Sequence, residues 1–153
     1  MSVGASFDGR LLLGGILGAE AGAGVFVSVP LTLPLRVEAS LSAMRLIGWE
    51  IGGQLTALWE PLRTGIWNPS LGPSAGLSFG SQLTLFTQSS TAPISVSLGP
   101  SVAWRVGVVL APLEFRLEGY SISTLRLGAF WEPAASAACW VLDLEIIRIG
   151  VDL

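Results

Sequence analysis

Histidine and lysine are absent from this 153-residue chain, and cysteine occurs once. Without His no Ser-His-Asp or Asp-His arrangement can be built, which removes the commonest hydrolase chemistries. Cys139, in Ala-Ala-Ser-Ala-Ala-Cys-Trp, leaves no disulfide framework or cysteine metal cluster within one chain, and reads as a small apolar filler. Charge is scarce as well. Charged residues make up 12% of the chain, against about 25% in ordinary soluble domains. From Thr64 to Trp104 there is none at all, yet Pro69, Pro73, Pro93, Pro100 and the run Thr87-Gln88-Ser89-Ser90-Thr91 interrupt that stretch. No run of about 20 apolar residues survives, so membrane-spanning helices are excluded. Gly14-Gly15 and Gly22-Ala23-Gly24 follow no phosphate-loop spacing, and a net charge of −3 offers no footprint for nucleic acid. No cofactor or metal is expected, and the chain is not expected to be an enzyme.

What the chain does have is alternation. From Ala19 to Ala43 the odd positions are apolar (Ala21, Val25, Val27, Val29, Leu31, Leu35, Val37, Leu41) and the even ones small or polar (Gly22, Gly24, Ser28, Arg36, Glu38, Ser40, Ser42). The register continues through Ile47, Trp49, Ile51, Leu55, Ala57 and Trp59. That is the period of a strand, held much longer than one strand. At 51% apolar residues, with eight basic residues that are all Arg, the chain cannot cover a water-facing surface in the usual way. A soluble sandwich would wet a face of Gly, Ser and Ala; a transmembrane barrel turns the apolar face to lipid and the small polar face to a lumen.

The charges test this assignment independently. Up to residue 60 the lumen parity is even, and Asp8, Arg10, Glu20, Arg36, Glu38, Glu50 and Glu60 all obey it; Arg45 alone does not. Between Ile94 and Leu110 the apolar parity becomes even, and Arg105 moves to odd with the lumen. After Pro112 it flips back, so that Leu113, Phe115 and Leu117 face out while Glu114, Arg116 and Glu118 face in, and Leu125 and Leu127 face out around Arg126. In the last segment Trp140, Leu142 and Leu144 face out with Asp143 and Glu145 inside, then Ile149 and Val151 face out with Arg148 and Asp152 inside. The change at Ile146-Ile147 has no turn to explain it and predicts a β-bulge in the final strand. The expected lumen charge network is therefore Arg36, Glu38, Glu50, Arg105, Glu114, Arg116, Glu118, Arg126, Asp143, Glu145 and Arg148. Alternating signs along a strand, as in Arg36-Glu38 and Glu114-Arg116-Glu118, read as mutually neutralising ion pairs, for which the bidentate guanidinium suits better than an ammonium.

Turn residues divide the chain into strands near 2–7, 10–17, 20–29, 33–42, 45–59, 64–70, 74–86, 93–98, 101–110, 113–120, 123–131 and 139–152. Asp8-Gly9 is the strongest two-residue hairpin signal. Leu71-Gly72-Pro73-Ser74 and Leu98-Gly99-Pro100-Ser101, 27 residues apart, suggest a hairpin repeat, and Trp59-Glu60-Pro61 recurs as Trp131-Glu132-Pro133. The expectation is one domain over residues 1–153: an all-β, antiparallel up-and-down transmembrane barrel of about twelve strands, with ten or eight as alternatives, around a Gly/Ser-rich lumen. The six tryptophans suggest two aromatic girdles, with Trp59, Trp67, Trp131 and Trp140 at one end and Trp49 and Trp104 at the other.

This pattern resembles the small up-and-down outer-membrane β-barrels of bacteria. The last strand, Ile147-Arg148-Ile149-Gly150-Val151-Asp152-Leu153, looks like the terminal assembly signal of such proteins but ends in Leu where an aromatic is usual. The resemblance implies a bacterial outer-membrane location, although Met1-Ser2-Val3-Gly4-Ala5 has neither the basic start nor the apolar core of a signal peptide. The functions expected are a passive pore or small channel for ions or small polar solutes with weak cation preference, or a structural protein, either a plugged barrel or a subunit of a β-rich shell. Membrane lipid is the expected partner, and a homo-oligomer is compatible.

Overall fold

Alternation held across most of the chain becomes strands that each line a lumen on one side and the exterior on the other. The structure is a computed structural model describing residues 1–13, 18–32, 34–45, 49–62, 65–86, 95–133 and 138–153. Its strands are β1 (Ser2–Leu13), β2 (Gly18–Thr32), β3 (Leu35–Arg45), β4 (Trp49–Trp59), β5 (Ser70–Phe86), β6 (Ser95–Ala111), β7 (Glu114–Leu117), β8 (Tyr120–Pro133) and β9 (Ala138–Asp152). All pairings are antiparallel, and β1 pairs with β9 to close the sheet. β7 continues β6, because both pair with β8 in one register, Leu110 opposite Leu127 and Glu114 opposite Ser123. The barrel thus has eight strands rather than about twelve.

Each overcounted strand has a specific cause. Asp8-Gly9 is no turn: it lies inside β1, with Gly9 opposite Ala21 on one side and Leu144 on the other. Leu71-Gly72-Pro73-Ser74 lies within β5 and Leu98-Gly99-Pro100-Ser101 within β6, so both copies of the apparent repeat belong to strand interiors. The segment expected as a strand near 64–70 extends the β5 wall downward. Trp67 forms a bridge with Phe115, Asn68 N donates to Glu114 O at 2.8 Å, and Arg116 N donates to Ile66 O at 2.7 Å. The Thr87–Thr91 run lies outside the described residues.

Strand stagger sets the size of the interior. Following partners once round the sheet leads from Ser2 to Ser28, Glu38, Thr56, Ser74, Gly107, Phe130, Val141 and back to β1 at Leu12, a displacement of ten residues. In an eight-stranded barrel such a stagger tilts the strands by about 40° and leaves an interior that side chains can fill. They do fill it: Leu58, Val109, Phe130 and Val141 form a buried cluster within the lumen.

The bulge expected at Ile146-Ile147 is present. Between Phe7 and Asp8 the β1–β9 register jumps from Ile147 to Glu145, leaving Ile146 as the extra residue, and Ile146 and Ile147 both face out. On the adjoining strand Leu125 takes φ 64°, and β6 breaks at Pro112-Leu113. The three irregularities fall side by side on neighbouring strands, which is why the inside–outside parity changes there together.

Candidate functional site

Two surfaces of this barrel carry chemistry, the charged lumen and the apolar exterior. At the end that holds both termini, Arg36 binds Glu114 through both terminal guanidinium nitrogens, Nη2 donating to Oε2 at 2.7 Å. Arg36 Nη1 also lies 3.1 Å from Glu60 Oε1, Arg116 Nη2 reaches the same oxygen at 2.5 Å, and Ser70 Oγ donates to Glu114 Oε2 at 3.1 Å. Above this layer Glu38 is held between two cations, Oε1 at 2.7 Å from Arg126 Nη1 and Oε2 at 2.5 Å from Arg148 Nη2. Glu145 lies 3.4 Å from Arg148 Nη1. Toward the far end Arg10 joins Glu50 and Asp143, the latter at 2.9 Å from Nε, while Arg105 Nη2 donates to Gln54 Oε1 at 3.3 Å.

These pairs interlock with aromatic rings laid over glycines. Phe26 lies against Gly4 and Gly150, where an added Cβ would come within 2.6 Å and 3.0 Å of its ring. The Arg148 guanidinium lies over the same ring, Cζ 3.4 Å from its centre. Phe130 packs in the same way over Gly107 and Gly128, with Arg105 Cζ 5.1 Å from its centroid. A ring laid over a glycine fills space that a side chain there would otherwise take. Among the described residues the lumen holds a cavity of about 50 Å³ bordered by Asp8, Ser40, Gln54, Asp143 and Glu145, and another of about 10 Å³ bordered by Ser28, Ser123 and Arg36. Glu38 and Arg148 border both.

The sequence-predicted residues sort clearly. Arg36, Glu38, Glu50, Arg105, Glu114, Arg126 and Arg148 are buried in the lumen, and Arg116, Asp143 and Glu145 are partly buried beside them. Glu118 is a correction: it is exposed in the Glu118-Gly119 turn, where Gly119 takes φ 80°, and so lies outside the network. Asp152 is likewise exposed at the end of β9. Arg10 and Glu60, which share the lumen parity but lie outside the network expected from the sequence, belong to it, and Glu132 is buried inside as well. The recurring Trp-Glu-Pro, with Trp outside and Glu inside in both copies, was the available signal. Among the described residues no group of His, Cys, Asp and Glu could hold a metal ion.

Outside, Val25, Val27, Leu41, Ile51, Leu55, Phe79 and Val108 are all exposed, and the strand walls between the tryptophans present no outward charge among the described residues. Trp59 and Trp67 lie at the end with the termini, and Trp49 lies at the other, ten residues from Trp59 on β4. Trp131 and Trp140, expected beside Trp59, sit instead at the far end, because an eight-strand count reverses the direction assigned to β8. There Trp131 pairs across strands with Trp140 and meets Trp104 edge-on, ring centres 5.9 Å apart. All six are exposed.

No protein family matches the sequence, and no curated protein matches it. Among solved structures, the N-terminal β-barrel domain of Pseudomonas aeruginosa OprF superposes with a TM-score of 0.56 at 13% identity, over 98% of this chain and 96% of that one. Neisserial surface protein A (NspA) superposes with a TM-score of 0.58 at 12% identity, over 99% and 96%. The chain therefore shares the fold of these small bacterial barrels along essentially its whole length.

Proposed function

We propose that this chain is an integral barrel of the bacterial outer membrane whose lumen is sealed by its own side chains, so that it serves as a structural membrane barrel and not as a conducting pore. The membrane part rests on the exterior: a closed, even-stranded antiparallel wall, apolar all round, with tryptophans toward both ends. Trp49 and Trp59, ten residues apart on one strand, are separated along the barrel axis by roughly 25 Å at a rise of about 3.3 Å per residue and a tilt near 40°. That is the height of an outer-membrane apolar band. Two bacterial barrels of the same fold support the same location.

The single observation that carries the sealed lumen is Glu38 bound by Arg126 and Arg148 across the middle of the barrel. An ion crossing the lumen would have to part these buried charges, and parting them is costly in a low-dielectric interior. A weakly cation-selective pore, the other function expected from the sequence, needs such a breach. Planar-bilayer recordings test the choice: the sealed barrel inserts without discrete current steps, whereas reproducible steps from the unmodified protein would overturn it in favour of the pore. Protein that neither requires detergent nor inserts would instead favour the β-rich shell.

A further inference from the structure

Ser28 on β2 and Ser123 on β8 both face the lumen and are 2% and 4% exposed. Neither hydroxyl meets a hydrogen-bond partner among the described groups of the protein, and neither does Arg36 Nε. All three residues border the same cavity of about 10 Å³, along with Ser2, Ser121 and Glu38. Native interiors seldom leave buried hydroxyls unpaired. The lining combines guanidinium and hydroxyl donors with hydroxyl and carboxylate acceptors, and its charges are already matched by ion pairs. The occupant must therefore be neutral, able both to donate and to accept, and very small. A bound water needs about 10–15 Å³ and two to four polar partners, which this cavity provides and nothing larger could use.

We propose that this cavity is a binding site for one structural water that links Ser28 to Ser123 across the lumen. These serines stand on strands separated by β1 and β9 in the sheet order. A water joining them braces two parts of the wall three strands apart, beside the Phe26 ring, a link that no backbone ladder supplies. Alanine at either position keeps the fold and the volume nearly intact. Ser28→Ala and Ser123→Ala are each expected to lower the folding equilibrium constant about ten-fold, measured by reversible unfolding in detergent. The double substitution is expected to lower it far less than a hundred-fold, because the first change already removes the bridge. An unchanged or raised constant for either single change would overturn the site, since that is how a dry, unpaired hydroxyl behaves when deleted. A crystal structure of the unmodified protein provides a second reading: ordered solvent density between the two Oγ atoms is expected, and its absence would equally overturn the proposal.

Discussion

At the scale of single residues, the account turns on which way each side chain faces. Leu41 lies on the outer face of β3 and is 62% exposed. Leu41→Arg should cost about 2–4 kcal/mol if that face meets the bilayer midplane, and Leu41→Ala much less. On a water-facing wall the Arg variant would be nearly neutral, so unfolding titrations of the two variants in lipid vesicles separate the cases. Inside, Glu38→Gln leaves Arg126 and Arg148 facing each other without their shared carboxylate and should destabilise by about 3–5 kcal/mol. Adding Arg126→Met should recover part of the loss, and strictly additive effects in a double-mutant cycle would mean that the pairing is not coupled. The charges were the most legible part of this site, because in a chain so poor in charge most of those within the strands share the lumen parity. Which Arg meets which Glu was not legible. Arg36 and Glu114 are separated by 78 residues, and their meeting depends on strand order, which parity does not encode.

At the scale of strands and turns, bulges and close-packed glycines set the shape. Ile146 is one extra residue relative to β1, so its deletion should force the end of β9 to turn its faces over or lose pairing. Loss of the folded, heat-modifiable species on gels is expected for the deletion, while Ile146→Ala should fold normally because that side chain already faces out. Gly107→Val would place a Cβ 2.1 Å from Ala129 O and 2.7 Å from Phe130 Cα. Neither contact can yield without moving β8, so a loss of a few kcal/mol in the same unfolding assay is expected. Turn chemistry misled the strand count, although parity held the answer. Across a two-residue hairpin turn the flanking residues pair on one face, yet Phe7 is apolar and faces out while Arg10 faces in. In the sequence the apolar parity of Val96, Leu98, Val102 and Trp104 likewise runs unbroken through Gly99-Pro100. Gly and Pro in those strands serve tight packing and strand shape, and local turn preference alone could not tell these roles from a turn.

At the scale of the whole molecule, eight strands with a ten-residue stagger give an interior that ion pairs and rings can fill, and an exterior that is apolar on every side. The class of fold was legible because composition and alternation together left few surfaces for water. The strand number was not, since it depends on closure, a property of the sheet and of no single segment. Ends followed from that number, which is why Trp131 and Trp140 moved to the opposite rim. The most direct test of the central claim is refolding from denaturant into buffer, with and without detergent micelles, followed by far-ultraviolet circular dichroism. A barrel whose outer wall belongs in lipid gives a cooperative β-sheet signal only with micelles, and aggregates or stays unfolded without them. A soluble, monodisperse β-sheet protein in plain buffer would contradict the account.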